Sequence, residues 1–234
     1  MTNIIDACMG QKIVDAIVQG YAEYLQVRIE KNKVMTVSGG YAFTRGNHID
    51  DALSKAQIFD EFKLSRAGHS WEYLQFPLTI NNQKCLLITK NLTRLENNMK
   101  QGKKDNYLIE FAKMNDQWIS SEDEIQQAPI QLQLFSEREA EEVKERVVND
   151  EYERFYVLSY QIDSVTKHIV SVELIMPLSN GSLICMQDLS QYLNTTNVTI
   201  ESNAYFPILD EKDDTEYEEY EYAVRVTEQE KTNE

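Results

Sequence analysis

Basic side chains alternate with aromatic ones in the first half of the chain, a combination whose chemistry suits single-stranded nucleic acid. Cations follow the phosphate backbone of a strand, and aromatic rings stack on its bases. Residues 26–104 carry 13 Lys and Arg against 7 Asp and Glu, a net charge of +6. The candidate contact residues are Tyr41, Phe43, Arg45, Arg66, Trp71, Tyr73, Lys84, Lys90 and Arg94. These nine residues predict a nucleic-acid-binding surface, against the alternative of core aromatics and ordinary surface lysines.

Acidic side chains dominate the second half, and their spacing suits a different partner. Carboxylates two residues apart on an extended chain lie roughly 6.6 Å apart on one face, not far from the spacing of backbone phosphates. Three of the acids recur every four residues, on one face of a predicted helix. The candidate partner-binding residues are Glu137, Glu141, Glu145, Asp213, Asp214, Glu216, Glu218, Glu219 and Glu221. They predict a surface that imitates nucleic acid and engages a basic protein, against the alternative of a merely solvated face.

Motifs for catalysis or metal binding are missing from the sequence, which contains no P-loop, no GxGxxG, no HExxH and no GxSxG. Its histidines, His48, His69 and His168, are not at metal-ligand spacing. A Cys85 or Cys185 nucleophile paired with a histidine has no local support. The Glu61-x-Lys63 pattern is typical of metal-dependent nucleases, which place it on a strand, whereas here a helix is predicted. We therefore expect a non-enzymatic protein with no cofactor and no metal.

The charge changes sign along the chain, and this asymmetry suggests an interaction role. Of the 234 residues, 1–120 hold 15 basic and 13 acidic groups (net +2), and 121–234 hold 8 and 26 (net −18). We predict a near-neutral α+β half over 1–120, containing the basic segment 26–104, and an acidic α+β half over 121–234 that ends in a strand. The boundary is placed at residues 120–129, and one continuous domain is the alternative.

The cellular compartment is predicted from the cysteines and from the absence of membrane and signal segments in the sequence. Cys8, Cys85 and Cys185 are odd in number and far apart, which predicts reduced and mostly buried thiols. No apolar run is long enough to span a bilayer, and the N-terminus lacks the features of a signal peptide. We expect a cytoplasmic protein that does not bind membranes.

Periodicity predicts the elements that position the candidate residues. Apolar residues at spacings of three and four predict an amphipathic helix over residues 3–26. Two short strands split by Gly39–Gly40 follow, and then a helix over 48–63 capped by Asn47, with Asp50 and Asp51 in its first turn. Residues 71–89 predict strand, turn and strand, and residues 94–106 a loop or a short exposed helix.

The second half predicts further strands with a helix between them. Strands are expected at 129–135, 155–162, 168–177 and 183–187, the last after an Asn180–Gly181 hairpin turn, and near 197–202. A helix capped by Ser136 and Glu139 covers 136–150, and a short one 188–193. Residues 210–219 form an acidic loop before a final strand over 220–227. Strands in runs rather than strict β-α alternation predict an α+β fold with a mostly antiparallel sheet.

Two functions compete on this basis. The first hypothesis is a non-enzymatic accessory, regulatory or inhibitory protein, of a kind carried by phages or mobile elements, whose acidic half engages a basic partner. The second is a nucleic-acid-binding or -processing protein that uses residues 41–104. The sequence identifies neither the partner nor the oligomeric state.

Overall fold

A long amphipathic helix begins the fold of the computed structural model, which describes residues 4–67, 71–100, 107–118 and 152–209. Helix α1 spans Ala7–Val34, and the carboxylate of Asp6 caps it by accepting a hydrogen bond from the Met9 N–H at 2.8 Å. The predicted helix is confirmed, but it begins four residues later and ends eight residues later. It continues past residue 26 because the polar end is rich in good helix formers, and Gln26 bonds Glu30 one turn on.

A second helix, α2 (Arg45–Lys55), packs across α1 at a glycine. A Cβ atom on Gly20 would lie 2.6 Å from the carbonyl oxygen of His48 and from the Cα of Ile49. Only a residue without a side chain allows the two backbones to approach this closely. The α1–α2 contact therefore fixes where α2 lies, and with it the side chains that α2 carries.

Six strands form one sheet in chain order: β1 (Lys63–Ala67), β2 (Trp71–Ile80), β3 (Gln83–Asn91), β4 (Arg154–Ile162), β5 (Ile169–Pro177) and β6 (Leu183–Asp188). All neighbours are antiparallel except β3 and β4, which run parallel. The β2–β3 turn places Asn81 and Asn82 at φ 50° and 63°, and Gly181 has φ 90° before β6. Asparagine and glycine tolerate such angles best, which explains why both turns form where predicted.

Helices cover both faces of the sheet. On one face α1 and α2 pack against alternate residues of β3, β4 and β5, including Leu87, Leu158 and Leu174. On the other face α3 (Leu92–Lys100) and α4 (Tyr107–Ala112) pack against the residues between them, such as Leu86 and Val157. The central strands are apolar on both faces because both faces are covered. The α+β class with a mostly antiparallel sheet and an N-terminal helix is confirmed.

Several local predictions were wrong. Residues 35–44 form no strands: a 3-10 helix, Gly39–Thr44, leads directly into α2, and neither of its glycines adopts positive φ. Asn47 therefore lies inside α2 rather than capping it, and Asp50 lies beyond the first turn, where it is buried against the sheet.

Two further segments differ from their predictions. Residues 94–100 belong to the short helix α3, one of the two predicted alternatives, but its Leu95 and Met99 are buried rather than exposed. Residues 197–202 form no strand, because Val198 and Ile200 pack onto the α1 face of the core instead of pairing with a neighbour. The shorter elements also include 3-10 helices at Lys113–Trp118, Ser190–Thr195 and Ser202–Ile208.

Some predictions lie outside the described residues. These are the boundary at 120–129, the strand at 129–135, the helix at 136–150, the acidic loop at 210–219 and the final strand at 220–227.

Candidate functional site

A cleft opens where β2 and β3 separate. The two strands pair from Ile80–Gln83 as far as Phe76–Leu87, and beyond that point β2 pairs only with β1. The cleft lies in this gap and encloses about 600 Å³, counting the part that is open to solvent. Six elements contribute side chains to this space: the 3-10 helix before α2, α2 itself, the start of β2, the end of β3, α3 and, through Tyr160, β4.

Asp50 is the buried acid in the lining of the cleft. Its carboxylate oxygen Oδ2 accepts a hydrogen bond of 3.0 Å from the Leu74 N–H, on the stretch of β2 that has separated from β3. Asp50 is only 8% exposed, and this burial raises the pKa of its carboxyl to about 7. The Leu74 N–H, the Lys90 charge and the Thr89 hydroxyl all oppose that rise, but desolvation outweighs them.

Three basic side chains line the cleft from three different elements: Arg45 from α2, Lys90 from β3 and Arg94 from α3. The guanidinium carbon of Arg45 lies 5.9 Å from the ring centroid of Tyr24, and the Lys90 ammonium lies 5.6 Å from that of Tyr107. Contacts of this kind attract a cation to a ring face and orient it. The arrangement concentrates positive charge around one small space.

Aromatic rings complete the wall. Phe43, Trp71, Tyr73 and Tyr160 all line the cleft. Tyr73 is buried and stacks on Tyr107 with ring centroids 5.1 Å apart, whereas Phe43 and Trp71 are half-buried. The two half-buried rings are therefore the ones accessible to a planar ligand.

Six of the nine residues predicted for nucleic acid thus meet in this cleft, and three do not. The exposed Arg66 pairs across the β1–β2 ladder with the Glu72 carboxylate at 2.7 Å. Lys84 lies at the opposite end of β3 from Lys90, roughly 20 Å away at about 3.3 Å per residue. Tyr41 packs against the Lys31 ammonium, 5.4 Å from its ring centroid, outside the cleft.

Sequence patterns missed the polar residues at the base of the cleft. Asp50 looked like a first-turn acid, and Thr89 like an ordinary strand residue. Asn91 was not predicted as a helix cap, yet its side chain caps α3 by accepting the Arg94 N–H at 3.2 Å. The order Asn-Leu-Thr-Arg could have predicted this cap, because Asn is a common cap residue and the backbone amide three positions later needs an acceptor.

Comparison with known proteins places the chain in a family. The sequence model of one family matches residues 2–234. The chain belongs to DUF5986, a family of unknown function. No curated protein and no solved structure matches it. The cleft of this DUF5986 chain must therefore be interpreted from its own chemistry.

The other candidate chemistry is spread out or lies outside the described residues. All nine acidic candidates, from Glu137 to Glu221, fall outside, and so does His69. The three cysteines are free; Cys85 is buried as expected, but Cys8 and Cys185 are exposed. Residues 61 and 62 precede β1, and Lys63 begins it, so the predicted helix there was wrong.

The described ranges contain neither a cluster of metal ligands nor a membrane-spanning helix. No three His, Cys, Asp or Glu side chains within them come together in a way that would hold a metal ion. Within the same ranges, no helix combines the length and apolar character needed to cross a membrane.

Proposed function

We propose that this protein binds single-stranded nucleic acid in the cleft between β2 and β3. One observation carries the proposal: six residues predicted from the sequence as contacts, scattered over residues 43–94, line the same small space. Arg45, Lys90 and Arg94 supply positive charge for phosphates. Phe43 and Trp71 supply half-buried rings for base stacking.

The form of the site favours a single strand over a duplex. The candidate contacts line a recess between strands and helices, whereas duplex readers present a helix or ribbon that projects into a groove. Base–aromatic stacking is worth about 1–3 kcal/mol per base. Two accessible rings and three cations would therefore give measurable affinity, even though the whole chain has a net charge of −16.

Two lysines on one strand provide the test. Lys90→Ala removes a cation from the cleft, and Lys84→Ala removes one from the exposed opposite end of β3. Fluorescence anisotropy with a labelled single-stranded oligonucleotide at two salt concentrations should show Lys90→Ala binding about tenfold more weakly, since a bond to a charged group contributes about 1.5–3 kcal/mol. Its salt slope should fall by about 0.7 for the lost phosphate contact.

Lys84→Ala should bind like the wild type. Equal losses in both variants would place binding outside the cleft, and an absence of binding in the wild type would overturn the proposal. A basic protein partner for the acidic half stays a separate prediction, because its residues lie outside the described ranges.

A further inference from the structure

The last 3-10 helix of the described chain, Ser202–Ile208, packs close to the cleft. Its Tyr205 belongs to a buried cluster with Tyr21 and Tyr24 of α1. The ring centroids of Tyr205 and Tyr21 lie 6.4 Å apart, and those of Tyr21 and Tyr24 lie 5.9 Å apart. The guanidinium carbon of Arg45, in the cleft lining, lies 5.9 Å from the Tyr24 centroid. Three short contacts therefore connect this helix to the cleft.

The segment that follows the helix resembles, in its chemical groups, the ligand proposed for the cleft. Residues 210–222, DEKDDTEYEEYEY, are called the acidic tail below, and they begin directly after the described range 152–209. The acidic tail contains eight acids, one lysine and three tyrosines. Extended carboxylates two residues apart lie roughly 6.6 Å apart, not far from the spacing of backbone phosphates. The acidic tail therefore offers what a single strand offers, namely a row of anions and several aromatic rings.

The acidic tail is long enough to reach the cleft without any change in the described fold. An extended chain spans at most about 3.3–3.6 Å per residue, so the twelve residues from Leu209 to Glu221 cover up to roughly 40 Å. Each of the three contacts between Tyr205 and Arg45 is only 5.9 or 6.4 Å long. Carboxylates throughout the second half of the acidic tail therefore come within range of the lining.

The cations of the lining can accept a carboxylate in addition to the contacts that they already make. The Arg45 guanidinium lies near the Tyr24 ring, and the Lys90 ammonium near the Tyr107 ring. An arginine has five N–H donors and a lysine three, which is more than a single contact uses. Binding of the acidic tail is therefore an added or exchanged contact, and it requires no cation that lacks a partner.

Covalent connection favours this segment over a separate acidic protein. A segment joined by a short flexible linker is present at a millimolar effective concentration, so weak contacts suffice to hold it. Contacts between exposed charges are individually weak and are screened by salt. The acidic tail can therefore bind at low salt and still be displaced by a ligand with more charge.

We infer that the acidic tail binds in the cleft of its own molecule and competes there with nucleic acid. The inference rests on the proposed function and adds an internal competitor to it. Nucleic acid must displace the acidic tail, so its apparent affinity is reduced by the fraction of molecules whose cleft is open. Removing charge from the acidic tail raises that fraction.

The first experiment compares two full-length variants that lose the same amount of charge. One neutralises the acidic tail by Asp213→Asn, Asp214→Asn and Glu216→Gln. The control neutralises the other acidic segment by Glu137→Gln, Glu141→Gln and Glu145→Gln. Fluorescence anisotropy with a labelled single-stranded oligonucleotide at low salt should show the tail variant binding about tenfold more tightly than the wild type, and the control changing by less than about threefold. The advantage of the tail variant should shrink at higher salt.

The second experiment needs no nucleic acid. A carbodiimide joins an ammonium directly to a carboxylate that it contacts, and mass spectrometry of the monomer identifies the linked peptides. Lys90, in the cleft lining, should link to the acidic tail, whereas Lys84, at the opposite end of β3, should not. Added oligonucleotide should suppress the Lys90 link.

The two readouts separate failure of this inference from failure of the proposed function. If the oligonucleotide binds but the tail variant and the control have equal affinities, the inference is overturned and the proposed function stands. Absence of the Lys90 link, or a link found only between two molecules, has the same meaning. A Lys90 link without oligonucleotide binding by any form of the protein would overturn the proposed function, and the competition with it.

Discussion

Replacing Asp50 by asparagine should stabilise the fold, by an amount that grows with pH. The pKa of this carboxyl is about 7 in the folded chain, against an ordinary value of 3.8. Between these values the folded state holds a proton that the unfolded state has released, so folding becomes less favourable as the pH rises. Each unit is worth about 1.4 kcal/mol, so the ionised carboxyl costs the fold about 4 kcal/mol above pH 7.

The assay is urea unfolding of wild type and Asp50→Asn at pH 5, 6, 7 and 8. The difference between their free energies of unfolding should widen in favour of the variant by about 2 kcal/mol from pH 5 to pH 7, and change little beyond. Asp51→Asn is the matched control. Its carboxylate is exposed and pairs with Lys55, so its difference should stay within about 1 kcal/mol at every pH. A constant or narrowing gap for Asp50→Asn would refute the idea that a desolvated charge lies under the cleft.

Two structural contacts give further predictions. Gly20→Ala should destabilise the protein by about 1–3 kcal/mol, because the added Cβ would meet the α2 backbone. Gly39→Ala is the control and should change stability little, because nothing lies within 4 Å of its added Cβ. Equal melting temperatures of the two variants would contradict the close helix contact. Asn115→Ala should cost about 2–5 kcal/mol in denaturant unfolding. The buried Asn115 amide bonds the carbonyls of Phe155 and Pro177 and accepts the Phe155 N–H, and all three groups lose a partner. A loss under 1 kcal/mol would contradict that role.

Local patterns predicted much of the fold because neighbouring residues determine those elements. The Asn81–Asn82 turn and the hairpin at Gly181 are set by backbone angles that few residues tolerate. The strands around them follow from short apolar runs. The prediction of strands over residues 35–44 was wrong although their composition is β-like. The 3-10 helix there continues directly into α2, and the position of α2 is set by its contact with Gly20.

The candidate site divides in the same way. The types of residue at the site could be predicted from the sequence, because each cation or aromatic ring has a known binding chemistry. The sequence could not predict which of these residues lie close together, because that depends on where β2 separates from β3. Arg66 and Lys84 look equivalent to Arg94 and Lys90 in the sequence, but strand pairing places the first two outside the cleft. The burial of Asp50 is likewise a tertiary property.

The parallel pairing of β3 with β4 has a consequence for the order of folding. It joins two antiparallel meanders, β1–β3 and β4–β6, and the connection across it runs from residue 92 to residue 153. Closing 62 residues costs roughly 3 kcal/mol more entropy than closing a two-residue turn. Each meander should therefore assemble before the two dock. Because Arg45, Asp50, Lys90 and Arg94 all precede β4 in the chain, the part of the chain up to α3 already contains the cations of the cleft, and docking of β4 adds Tyr160 to its wall.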